Sequence, residues 1–172
     1  SRDLLLQALS LTLPDFDFDH ISDYLLGIEE VKILNQLANS YSEAGDRRFA
    51  IHIYHQLFED PRKQLLNTEA KVSLFIMLSY NYSRLLGLER RYEECIEVAT
   101  LGQQECIKYN KTRGLGGLLL NIAYAQHNLG EIEKSKANLT NAYFAYRLMQ
   151  DKVSCDVVSN YAKETFGIEL NY

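Results

Sequence analysis

Asparagine recurs where helix packing would leave an open face: Asn35, Asn39, Asn81, Asn121 and Asn128. A carboxamide carries both a donor and an acceptor, so it matches a peptide backbone group. A row of them can clamp an extended chain without reading its side chains. Lys32 and Arg84 stand nearby in sequence and can meet a carboxylate. Tyr80 and Tyr124 can supply apolar walls, and Ser42, Leu120, His127 fall on the same faces. Asn is a modest helix former, so its recurrence on helices calls for a reason. Plain solvation of an outer face is the competing one.

Other groupings carry less. Asp15 to His20 reads DFDFDH, but a calcium loop needs Gly where His20 stands and Glu where Leu26 stands. His52, His55 and Glu59 share a helix face, yet three ligands on one continuous helix converge poorly on zinc. Gly114, Gly116 and Gly117 lack the preceding strand and the further glycine of a dinucleotide loop, so they read as sites of close helix approach. Cys95, Cys106 and Cys155 form no CxxC pair and read as buried thiols in a reducing compartment. No catalytic triad or carboxylate pair stands out. The expectation is a protein without enzymatic activity, cofactor or metal.

The 172 residues carry a net charge of -5, against the basic face of a nucleic-acid binder. The basic pairs Arg47-Arg48, Arg62-Lys63 and Arg90-Arg91 read as solvated turn charge. No apolar run reaches the ~18 residues needed to cross a bilayer. The chain opens on Ser-Arg and an apolar helical run, which reads as a piece of something longer, and its cysteine usage points to a cytoplasmic setting.

The elements that must hold these residues come from one repeated pattern. Leu34, Leu37, Ala38 and Tyr41 follow i, i+3, i+4, i+7 spacing. Gly45-Asp46 breaks that helix, with Gly45 as a left-handed cap. Phe49, Ala50, Ile53, Tyr54 and Leu57 then give a second stripe. The hairpin returns twice. Tyr82, Ser83, Leu86, Cys95 and Ala99 make the second copy, with Arg90 in place of the turn glycine. Ile122, Ala123, Gly130, Ser135, Leu139 and Ala142 make the third. Small residues mark where paired helices approach most closely. A pattern of small, aromatic, Gly, small, aromatic resembles the tetratricopeptide repeat, with helices longer than consensus. The fold expected is all-α, a right-handed superhelix of helical hairpins forming a single domain. Its parts are flanking helices over 1–27, hairpins over 28–60, 68–110 and 113–150, and a capping or dimerising helix over 153–168. Within the flank, Ile21 to Leu26 reads as a short helix capped by Asp17 or Asp19.

A wider resemblance rests on four segments in order: ALSLTLPDFDFDHI (Ala8 to Ile21), EEVKILNQLANSYSEAGDRRFAIHIYHQL (Glu29 to Leu57), LLLNIAYAQHNLGEIEKS (Leu118 to Ser135) and ETFGIEL (Glu164 to Leu170). Together they resemble the C-terminal part of Gram-positive transcription regulators of the Rgg/PlcR/Rap (RRNPP) group. There an XRE-type helix-turn-helix precedes a tetratricopeptide array. The resemblance implies a sensor domain that binds a short signalling peptide or similar ligand, pairs as a homodimer, and touches DNA only through a domain missing here. A pure protein-interaction scaffold is the alternative. A phosphatase-type regulator would need a helical bundle upstream.

Overall fold

The computed structural model describes residues 1–59 and 69–170, and all regular structure among them is helical. Pro61 and the Arg62-Lys63 pair lie outside the described residues. In chain order the helices are α1 (Arg2–Thr12), a 3-10 helix (Phe18–Asp23), α2 (Ile28–Glu43), α3 (Arg47–Glu59), α4 (Glu69–Leu88), α5 (Tyr92–Lys108), α6 (Leu115–Asn128), α7 (Ile132–Leu148) and α8 (Lys152–Phe166). They fall into two compact units, Ser1–Asn81 and Tyr82–Tyr172.

In the first unit, α2 and α3 close on Leu34, Leu37, Ala38, Ala50, Ile53 and Tyr54, all within 1% of full burial. Burying each Leu or Ile contributes roughly 2 kcal/mol, several times any helix propensity. Packing, more than local preference, therefore fixes this pair. α1 packs on α2 and buries Leu9. The 3-10 helix packs on α3, where Phe18 meets Phe49 at 5.1 Å and Ser22 Oγ donates to Gln56 Oε1 at 3.2 Å. Its start is set by Asp17, whose side chain accepts from the Asp19 backbone N–H. The short helix therefore runs three residues earlier than the apolar run Ile21 to Leu26 suggests. Asp17 and the Phe16–Phe18 aromatic contact anchor its beginning.

In the second unit, α5 to α8 pack each on the next. Leu119, Ala123, Leu139, Ala142, Tyr143, Cys155, Val158 and Ala162 form one apolar cluster with Leu170 of the tail. α8 thus caps this unit with its inner face and leaves Val153 and Val157 exposed. Gly116 lies under the Tyr146 ring, where a Cβ would stand 2.9 Å from Cε1. That is the close approach expected of the glycine-rich run.

Five turns between described helices close the same way. Each puts one residue in the left-handed region: Gly45 (φ 92°), Arg90 (61°), Asn110 (50°), Gly130 (80°) and Gln150 (56°). The next backbone N–H reaches back into the helix, as Asp46 N to Tyr41 O at 2.9 Å and Glu131 N to Gln126 O at 2.8 Å. This is the Schellman closure, and glycine enters it without steric cost. A side chain there costs about 1–2 kcal/mol, partly offset by glycine's greater freedom when unfolded. Arg90→Gly is therefore expected to raise stability by about 0.5–1 kcal/mol in urea unfolding. Gly130→Ala, with nothing within 4 Å of its added Cβ, should lower it by about 1 kcal/mol. An unchanged or lowered midpoint for Arg90→Gly would refute this account of the turns.

Candidate functional site

In the first unit the asparagines converge on one phenol. Tyr54 Oη lies 2.9 Å from Asn35 Oδ1 and 3.0 Å from Asn39 Oδ1. Asn81 Nδ2 donates to the same Asn35 oxygen at 2.9 Å. Asn35, expected on the open face, is only 5% exposed. Its amide joins α2, α3 and α4 from inside. Burial pushes the Tyr54 hydroxyl far above the ordinary phenol range, against the hydrogen bond from Asn81. Lys32 is exposed and pairs with Glu29 at 2.7 Å on its own helix. Tyr80 and Ser42 are half-buried.

In the second unit the expected residues border a cavity of about 310 Å³. Ser83, Arg84, Gly87 and Leu88 come from α4, Cys95 from α5, Leu120, Asn121 and Tyr124 from α6, and Val157 and Tyr161 from α8. Asn121 Nδ2 donates to Ser83 Oγ at 2.9 Å. Arg84 is exposed at the rim. Burial raises Tyr161 above the ordinary phenol value, with Thr165 and Tyr124 as further influences. Asn128 sits outside the cavity, donating to Tyr124 O at 2.8 Å and accepting from Tyr92 Oη at 3.1 Å. His127 stands edge-on to Phe166 at 5.1 Å, its Nδ1 buried without a hydrogen bond among the described residues.

Arg84, Leu120, Asn121 and Tyr124 are thus brought together, while Asn35, Asn39 and Asn81 meet in a separate place. Sequence reasoning missed Gly87, Leu88, Cys95, Val157 and Tyr161 as walls. The available signal was Gly87 itself, a helix-weakening residue inside the run SRLLGLERR. The histidine pair takes separate carboxylates: His52 Nε2 lies 3.0 Å from Asp19 Oδ1, and His55 Nδ1 3.4 Å from Glu59 Oε1. No three possible metal ligands gather among the described residues. No described helix is long and apolar enough to cross a membrane.

The model of the RNPP family C-terminal domain matches residues 7–166. This chain belongs to that family. Among solved structures, the RNPP domain described here is similar to Bacillus thuringiensis PlcR in complex with the peptide PapR7 and DNA, at 21% identity and a TM-score of 0.69. It is also similar to apo PlcR, at 20% identity and a TM-score of 0.67. Each match covers 92% of this chain, but only 52% and 63% of the respective PlcR chains. The likeness shows the fold, all-α and tetratricopeptide-like. No curated protein sequence matches the chain.

The three cysteines of this RNPP domain are free and buried. Burial pushes Cys95 up to about 12 and Cys106 up to about 11. Both stand above the ordinary thiol value of 9.0, so the protonated thiols contribute their stability in full below about pH 9. That contribution is lost as pH rises toward the folded-state values. A single such group gives a slope of about 1.4 kcal/mol per pH unit. Cys95→Ala should flatten the alkaline limb of the stability curve by about that slope, read from urea unfolding at stepped pH. An unaltered limb contradicts it. The buried amide has its own consequence. Asn35→Ala strips acceptors from Tyr54 and Asn81 and should cost about 2 kcal/mol, whereas Lys32→Ala should cost under about 0.5 kcal/mol. Equal losses in the two unfolding midpoints would show that the amide network adds nothing.

Proposed function

We propose that this chain is the ligand-sensing domain of a bacterial transcription regulator, and that it binds a short signalling peptide. Membership of the RNPP C-terminal domain family over residues 7–166 carries this reading. The similar PlcR structure, in complex with a peptide and DNA, supports it. In this reading DNA recognition resides in a helix-turn-helix domain outside these 172 residues. The setting is the cytoplasm of a Gram-positive bacterium, consistent with three free thiols, and the role is quorum sensing without enzymatic activity.

The chemistry of the second unit fits a peptide. Arg84 offers a planar fork to a carboxylate, Asn121 an amide to a backbone group, and Tyr124 an apolar wall. Differential affinity of the peptide for two arrangements of the helices is all that signalling requires. The domain also pairs as a homodimer through α8, whose outward Val153 is exposed. Truncation after Ser154 would remove Cys155, Val158 and Ala162 from the core, so substitutions on the outward face are the cleaner probe.

The chain contains no Trp, so a Trp-bearing peptide reports its own binding by fluorescence. A displayed library of random Trp-containing heptapeptides is expected to enrich sequences that bind at about micromolar Kd, roughly -8 kcal/mol. Failure to enrich any peptide, with a protein partner captured instead, would favour a scaffold. Solution mass should be that of a dimer, and Val153→Asp should shift it to a monomer.

A further inference from the structure

Gly87 has no packing reason to be glycine. A Cβ built there would stand 3.5 Å from Cys95 Sγ and 3.5 Å from Tyr124 Cδ1, ordinary contact distances. Alanine fits, and a helix prefers it by up to about 1 kcal/mol. Gly116 differs, since the Tyr146 ring forbids its Cβ. What the missing side chain at Gly87 leaves is space, the floor of the cavity in the second unit. That cavity measures about 310 Å³, whereas an engineered apolar cavity of about 150 Å³ already takes benzene. Its wall is nearly all apolar, and Arg84 is its one charged residue. No carboxylate among the described residues pairs with Arg84, in a chain of net charge -5.

We infer that this cavity is a specificity pocket, taking one large apolar side chain of the ligand while Arg84 at its mouth binds a carboxylate beside that side chain. The inference rests on the peptide-sensing reading above and adds the chemical class the peptide must present. An uncapped arginine at the edge of an apolar recess is complementary to an anion next to a hydrophobe. The guanidinium fork suits a carboxylate in two parallel hydrogen bonds. The carboxylate is either a peptide C-terminus or an acidic side chain next to the apolar one.

Three small probes separate these sources: N-acetyl-tryptophan, its amide, and N-acetyl-glutamyl-tryptophanamide. Their indole fluorescence is titrated with the full chain. At least one carboxylate probe should bind about tenfold or more tightly than N-acetyl-tryptophanamide, about 1.4 kcal/mol. The probe that retains affinity names the source. Arg84→Gln should erase the difference between that probe and the amide. Gly87→Leu should fill the floor and abolish binding of all three. Should Gly87→Leu fail to fold, Gly87→Ala, expected to be as stable as the parent chain or more so, should weaken the best probe several-fold. Equal binding of acid and amide, or parent-like binding by the folded Gly87 variant, overturns the pocket. If library heptapeptides still bind the Gly87 variant unchanged, the pocket falls and peptide sensing stands. If no heptapeptide binds but the acid-selective probe is lost on Gly87→Leu, the pocket stands and peptide sensing falls.

Discussion

Close approach of paired helices at small side chains is the constraint on which everything else depends. Ala38, Ala50, Ser83, Cys95, Ala99, Ala123, Ser135 and Ala142 are each fully buried. A larger residue at such a point would force off-rotamer packing or separate the helices, at about 1–3 kcal/mol. At Ser135, Cys95 and Cys155 the side-chain hydrogen is given to a neighbouring carbonyl. Ser135 Oγ donates to Ala123 O at 2.7 Å, Cys95 Sγ to Asn121 O at 3.6 Å, and Cys155 Sγ to Tyr143 O at 3.8 Å. A hydroxyl or thiol costs the crossing little at these three residues, because each donor is satisfied. Cys95 also walls the cavity, so one side chain fixes both a helix crossing and the shape of the recess beside it.

The same repeat yields two different interiors because one position changes size. Tyr54 in the first copy corresponds to Ala99 in the second and Leu139 in the third. With a phenol there, an acceptor on the facing helix is drawn inward, and Asn35 becomes a core residue. Ala99 and Leu139 offer no hydroxyl. Asn121, one residue beyond the counterpart of Asn35, donates to Ser83, itself in a small-residue slot, and remains half-buried at the edge of an open recess. The first unit is therefore closed by its polar groups, and the second is left with a cavity whose polar groups stand at the rim.

This explains how much could be read from the sequence. The hairpins follow from periodicity, and the turns at Gly45 and Gly130 from residue type, because both signals are local. Arg90, Asn110 and Gln150 adopt the same left-handed geometry without the glycine that would announce it. There the packing of flanking helices overrides a local penalty. The 3-10 helix was displaced by three residues because Asp17 and an aromatic contact outweigh an apolar run. Burial of Asn35 was hidden, since it depends on a phenol 19 residues away. The cavity was hidden for a different reason. It is made by an absent side chain at Gly87 and completed by α8, whose pattern reads as a cap or a dimerising helix. Sequence patterns report what packs and are poor at reporting what is left empty.

The arithmetic of sensing shows why so small a recess suffices. Its walls come from α4, α5, α6 and α8, so a guest within it touches four helices at once. Transfer of one large apolar side chain from water into such a site gains roughly 2–3 kcal/mol. A tenfold shift between two arrangements needs only about 1.4 kcal/mol of differential affinity. If the walls come together in one arrangement and part in the other, a single buried side chain outweighs that requirement. A row of surface hydrogen bonds could not do the same, because each exchanges a water partner for a peptide partner at a net of about 1 kcal/mol or less and is made nearly as well in either arrangement. Discrimination therefore belongs to the apolar recess, and the amides and arginine around it set orientation and register.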